Sequence, residues 1–415
     1  MELETRQQSM KDRIVSKLKV IGPGAIITAS FIGPGTVTTA TRAGASFGFT
    51  LLWTVLFSIV ATMFLQEMAA RLGIVSKKGL GEALHDQFQR PFLKYGTIGL
   101  VSISIGVGCA AYMAGDLTGG ALGVSMLTGV DANVIAPILG IIILLIGLFG
   151  SYKIVEKLLI VLVAVMSVTF ITTMIVVDTP LGELFQGAFI PTVPSGSIII
   201  VVALIGTTVV PYNLFLHASS VQERWRDARD LKSARLDIIL SIGLGGLITA
   251  AILITAGAVI RGVEVESVNE LGMALEPLLG PWAVIFISIG MLAAGFSSAV
   301  AAPIGAAYTI SGVMKWGSGF DKKAFKIVFG IVIGIGIITS ATGFEPLSIL
   351  LFAQALNGII LPVIAIFLLV VLNNKKLLGE YVNSVKLNII GGLIVLICTG
   401  LGVYSLVTAI LDFIG

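Results

Sequence analysis

The sequence predicts an all-α membrane protein with eleven transmembrane helices, and three observations carry that expectation. Of 415 residues, 56% are hydrophobic and only 12% charged, with a mean hydropathy of +1.04. That leaves too little polar surface to coat a soluble globule of this size. The chain also divides into eleven apolar stretches, each long enough to cross about 30 Å of hydrocarbon. Finally, two of these stretches are interrupted by proline, at Gly33-Pro34-Gly35-Thr36 and at Val209-Val210-Pro211-Tyr212-Asn213.

Residues 1–19 are polar, basic and amphipathic, and the apolar run behind them is full length, so they read as a cytoplasmic segment rather than a cleavable signal. Segment one (20–42) holds the first interruption. Segments two (47–71), three (95–127), four (132–150) and five (154–177) complete a first unit, 20–177. Segment six (197–221) holds the second interruption and opens a second unit, 197–372, with segments seven (236–261), eight (280–314), nine (324–343) and ten (346–372). Segment eleven (386–411) is an appendage, and segments three and eight are long enough to tilt or bend. Five spans per unit give the two units opposite membrane orientations, the inverted-repeat plan of secondary transporters.

The two interruptions are the functional signal. Proline removes a backbone donor and glycine tolerates unwinding, so carbonyl and amide groups come free in mid-bilayer. Lipid cannot satisfy them, so such backbone persists only where protein encloses it or where it lines a cavity.

Lysine and arginine set the orientation. With the N-terminus in the cytoplasm, Arg6, Lys11, Arg13, Lys17 and Lys19 lie inside, as do Arg224, Arg226, Arg229, Lys232 and Arg235. Of the 26 basic residues only Arg42 and Arg261 fall outside, where Asp178, Glu183, Glu264, Glu266, Glu270 and Glu276 gather. This places the C-terminus outside and the protein in the plasma membrane. The net charge of +3 is thus a topological imprint and no sign of a nucleic-acid partner. Cys109 and Cys398 stand in separate segments without ligand spacing. No metal-ligand pair, nucleophile elbow or carboxylate dyad marks an enzyme.

The stretch from Gly22-Pro23-Gly24 through Gly33-Pro34-Gly35-Thr36 to Arg42-Ala43-Gly44-Ala45-Ser46-Phe47-Gly48 resembles the first helix of the Nramp divalent-metal transporters. So do Asn213-Leu214-Phe215-Leu216-His217, Tyr152-Lys153 with Glu156-Lys157, Ala293-Ala294-Gly295 with Ser297-Ser298, and Gln354 with Pro362. The resemblance implies a LeuT-type fold and alternating access, with substrate between helices one and six. Its departures fall on the site. Where the family carries Asp-Pro-Gly-Asn this chain has Gly33-Pro34-Gly35-Thr36, and where it carries Met-Pro-His this chain has Val210-Pro211-Tyr212. The metal-binding carboxylate, the soft thioether and an imidazole are gone, and no resident metal or other cofactor is expected.

Neutral hydrogen-bonding groups remain near the breaks: Thr36, Thr38, Thr39, Thr207, Thr208, Tyr212, Asn213, Gln354 and Asn357. Together with the amides after Gly35 and Pro211 they suit a small oxyanion, and the resemblance to Nramp-related branches that lack the aspartate implies bicarbonate as the substrate. An anion entering against a negative potential needs a coupled cation. The LeuT-type resemblance implies a sodium site between the carbonyls of Ala29 and Ile32 and the hydroxyls of Ser297 and Ser298, with Asp116 and His217 as proton-path candidates. The family's acidic residue three positions after Asp116 is Gly119 here. Glu67, Glu82 and Glu156 are read as gate or loop contacts, and the charge run 223–237 as a solvated loop. The alternatives are a divalent metal cation transporter (manganese, iron or magnesium) and a transport-dead membrane sensor.

Overall fold

The computed structural model describes residues 22–88, 90–262, 280, 282–317, 319–342 and 360–414. Segment one is split into α1 (Pro23–Phe31) and α2 (Pro34–Phe47). Segment two is α3 (Leu52–Ser76), followed by the short helix α4 (Leu80–Gln87). Segments three to five are α5 (Pro91–Thr128), α6 (Ala132–Phe149) and α7 (Tyr152–Val176), and α8 (Leu181–Phe189) follows. Segment six is split into α9 (Ile198–Thr208) and α10 (Pro211–Arg224). Segments seven to nine are α11 (Leu231–Val259), α12 (Trp282–Val313) and α13 (Lys323–Ala341). The described part of segment ten is α14 (Ile360–Leu372), bent by 65° from the turn that opens with α15 (Lys375–Leu378). Segment eleven is α16 (Val385–Ile414).

Among the described residues nine helices are long and apolar enough to cross a membrane, ten with the bent pair. The split first segment is not among them, whereas segment six, split likewise, counts as one span, Ile198–Arg224. Burial sorts the spans into layers. The most apolar window of segment six is 78% buried and that of segment eight 67%, against 28% for segment four and 22% for segment eleven. Segments six and eight are therefore the centre, and four and eleven face lipid.

Helix α5 has 38 residues, roughly 57 Å at 1.5 Å per residue, so it must tilt or protrude from the bilayer. It crosses α12 at backbone contact: a Cβ on Gly295 would lie 2.6 Å from the carbonyl oxygen of Asp116. Small residues allow this approach, which carries the side chains of Asp116 and Ser298 to the first break.

One sequence expectation needs correction, and one connection holds a further helix. The connection after segment five contains α8, whose Leu181, Phe185 and Phe189 are exposed. Nine residues are too few to span, and an apolar exposed face suits the membrane interface. The charge run 223–237 is no simple solvated loop. It is α10 to Arg224, a 3-10 turn Ala228–Asp230, and α11 from Leu231, and its last member, Asp237, is fully buried.

Candidate functional site

At the first break α1 stops at Phe31, and α2 restarts at Pro34 with extended Gly33 as its N-cap. Proline suits that place because the first amides of a helix have no intrahelical acceptor. The carbonyls ending α1 lack partners for the same reason, and side chains supply them. The hydroxyl of Thr36 donates to the carbonyl of Phe31. The carbonyl of Ser30 accepts from Tyr212 at 3.3 Å and from Ser298 at 3.1 Å. Ser298 also stands 2.6 Å from Oδ2 of Asp116. A serine has one hydroxyl proton, so it serves only one of its two acceptors at a time.

Asp116 is 1% exposed. A Cβ at Gly33 would meet its Oδ1 at 2.9 Å and Ser298 Oγ at 3.0 Å. A carboxylate missing from helix one is thus delivered to the same place by helix three. One turn along α5, Gly119 abuts the ring of Pro34 so closely that any side chain there would displace the break. The family's acidic residue has no room at 119.

At the second break α9 stops at Thr208, and α10 restarts at Pro211 with Val210 as its N-cap. Tyr212 is 2% exposed. Its ring meets Tyr112 edge to face at 6.1 Å and lies over Gly305 of α12, where a Cβ would come within 2.5 Å of a ring carbon. The hydroxyl of Ser30 has two acceptors for its one proton, the Ile27 carbonyl at 2.6 Å and Asn213 Oδ1 at 2.7 Å, while the Nδ2 of Asn213 is buried without a hydrogen-bond partner.

Several expected site residues point elsewhere. Thr207 returns its hydroxyl to the carbonyl of Leu204 at 3.1 Å, and Ser297 does the same to Ala294 at 3.0 Å. Successive helical residues are about 100° apart, so only one of Ser297 and Ser298 can face helix one. That one is Ser298, and it meets Ser30 instead of Ala29 or Ile32. His217 pairs through Nδ1 with Gln66 Oε1 at 3.0 Å, and its Nε2 is without a partner. Val210 is buried and offers no donor atom. Gln354 and Asn357 lie outside the described residues. Among the described residues no group of three or more His, Cys, Asp or Glu could hold a metal. An ion at the breaks would rest on Asp116, hydroxyls and the Ser30 carbonyl.

The start of α1 is fastened. Asp237 accepts from the amides of Gly22 at 3.0 Å and Gly24 at 2.7 Å, and from the hydroxyl of Ser241 at 3.0 Å. A carboxylate there satisfies orphan amides and complements the helix dipole. Arg224 packs directly on Gly22 and stands 3.5 Å from Glu156. Helices α1, α7, α10 and α11 are thereby tied together. An acidic residue inside an apolar run is expensive to bury, and that signal at Asp237 was available in the sequence. Nearby, Glu67 contacts buried Arg71 at 3.3 Å and Arg235 at 2.8 Å, and Arg71 reaches Asn383 at 2.7 Å. Asp86 of α4 binds Lys78 at 2.7 Å and Lys315 at 2.5 Å. Partial burial raises its carboxyl, but the two lysine hydrogen bonds outweigh this and hold it below its ordinary value. At the opposite end of the bundle a cavity of about 280 Å³ is lined by Phe49, Thr50, Gln186 and the Glu183–Arg261 pair.

The family model described as natural resistance-associated macrophage protein-like matches residues 24–408. The divalent metal cation transporter MntH of Caldanaerobacter subterraneus subsp. tengcongensis is 29% identical over 401 residues, covering 93% of each chain. A mutant of the Eremococcus coleocola manganese transporter superposes with a TM-score of 0.80 at 22% identity, over 95% of this chain and 87% of that one. A nucleobase-cation-symport-1 family transporter superposes with a TM-score of 0.58 at 17% identity, over 93% and 90%. The fold is that of the LeuT-type transporters.

Proposed function

The chain belongs to the natural resistance-associated macrophage protein-like (Nramp) family, and on that premise we propose that it is a secondary active transporter carrying a divalent metal cation, held where the two broken helices meet. The single observation that carries this reading is the Asp116 carboxylate, 2.9 Å from where a side chain at Gly33 would begin. With it stand the Ser30 carbonyl and the hydroxyl of Ser298, an all-oxygen set. Oxygen ligands suit hard dications, and magnesium keeps several waters while bound through one or two carboxylates. Manganese shares the preference for carboxylate, carbonyl and water, whereas softer ions favour the thioether that Val210 replaces. The name of the MntH relative supports a divalent cation as well.

The sequence reading ranked a small anion first, and the position of Asp116 reverses that order. An ionised Asp116 about 4 Å from an anion costs roughly 4 kcal/mol at an effective dielectric constant of about 20, whereas a dication stabilises that ionised form. One neutral hydrogen bond returns only about 1 kcal/mol. Bicarbonate with sodium remains the second reading because the Asn213 Nδ2 donor is buried and unpartnered. Energetics separates the two as well: a dication moving inward gains roughly 4.6 kcal/mol per 100 mV, while an anion loses about 2.3.

The test is uptake by purified protein in liposomes, with and without sodium and proton gradients. Saturable entry of magnesium or manganese, weakly inhibited by cadmium, is expected. No entry of either, together with alkalinisation of the lumen by bicarbonate under an inward sodium gradient, would replace this reading with the second.

A further inference from the structure

The carbonyl of Ser30 has two lone pairs, and both have donors within reach, Tyr212 and Ser298. Ser298 has one proton and a second acceptor 2.6 Å away in Asp116. When it turns to Asp116, Tyr212, whose hydroxyl also lies against Ser298, is the remaining donor to the carbonyl among the described residues. A hydroxyl that donates to a carbonyl competes with a cation for the same oxygen. The phenol also cannot drift away freely, because its ring is held between Tyr112 and the bare backbone of Gly305. Any Cβ at 305 would press on the ring at 2.5 Å, so the glycine makes the seat that the ring occupies.

Building on the cation reading above, we propose that Tyr212 is a built-in competitor for the substrate position: its hydroxyl caps the Ser30 carbonyl, and the ion binds by displacing it. Tyr212 thus sets the affinity of the site, and Gly305 positions Tyr212. A tyrosine acting as a ligand would have the opposite effect on affinity.

The experiment is calorimetric titration of detergent-purified full-length protein with magnesium and with manganese, for wild type, Tyr212→Phe, Gly305→Ala, Tyr212→Ala and Tyr212→Ala/Gly305→Ala. Phenylalanine keeps the ring on its seat and removes only the competing donor, so both ions should bind on the order of tenfold more tightly to Tyr212→Phe, about the worth of one hydrogen bond. Gly305→Ala should tighten binding by crowding the ring away from the carbonyl, and should do nothing further once Tyr212 is alanine. The ultraviolet difference spectrum on ion binding should show a tyrosine band in wild type that Tyr212→Phe lacks. If wild type binds and Tyr212→Phe binds equally or more weakly, the competitor role is wrong and the cation reading stands. If neither protein binds either ion, both fall. Equal effects of Gly305→Ala with and without the tyrosine would remove Gly305 from the mechanism.

Discussion

The break in segment one presents oxygen, and the break in segment six presents hydrogen. Around Gly33 lie the Ser30 and Phe31 carbonyls, the Asp116 carboxylate and Ser298 Oγ. Around Pro211 lie the Tyr212 hydroxyl and the Asn213 amide, one donor already used and the other without a partner. Proline breaks that look alike in sequence are therefore unlike in chemistry. A helix that ends exposes carbonyls and a helix that starts exposes amides, but neighbouring helices decide which set stays available. At the first break α5 and α12 add acidic and hydroxyl oxygen. At the second, Thr207 and Thr208 turn back on the Leu204 carbonyl, leaving tyrosine and asparagine to act.

The sharpest way to break this comparison is to move the carboxylate. Asp116→Asn should reduce magnesium and manganese uptake by at least about a hundredfold, since a dication would lose the one negative charge that the described residues place beside the first break, in low dielectric. Gly33→Asp alone should also impair uptake, because it sets a second carboxylate against the first. The swap Gly33→Asp/Asp116→Gly should recover much of the activity. Recovery by the swap would show that position, not the parent helix, matters; a dead swap with a folded protein would show that α5 itself is required.

A smaller effect is expected from Pro34→Ala and Pro211→Ala. Each returns a backbone donor and favours a continuous helix, so uptake should fall roughly tenfold while insertion and folding persist, as read by size-exclusion elution. A loss confined to Pro34→Ala would mean that only the oxygen-bearing break handles the ion. Asn213→Leu sharpens the contrast further. It should change cation uptake by no more than about threefold, since the orphan donor has no role toward a cation, whereas an anion transporter would lose most of its activity.

The least effect belongs to a tie outside the membrane. The depressed Asp86 carboxyl contributes stability at pH values above its ordinary range, and that contribution is lost as pH falls through the lowered folded value. Asp86→Asn should lower the melting temperature near neutral pH by about 1 °C and leave the acid limit unchanged. An equal loss at all pH values would mean that the residue acts through packing.

Much of the fold is legible in the sequence because membrane burial is written into hydropathy, and the two prolines announce the breaks directly. The site is legible only along each helix. Gly33, Tyr212 and Ser298 are visible as candidates, yet the meeting of Asp116 with Gly33 depends on how closely α5 and α12 cross at Gly120 and Gly295, which hydropathy does not record. Ser30 is missed because its contribution is a main-chain carbonyl that any residue could supply. Asp237 is missed because its neighbours Arg229, Lys232 and Arg235 make the stretch look solvated, although its own position begins the apolar face of α11.

Equilibrium binding of magnesium and manganese to purified wild type and Asp116→Asn, measured by dialysis against the free ion, tests the central claim most directly. Saturable binding of at least one ion to wild type, lost in the asparagine variant, is expected if the carboxylate from helix three holds the substrate at the first break. Equal binding to both proteins, or binding to neither, would contradict it.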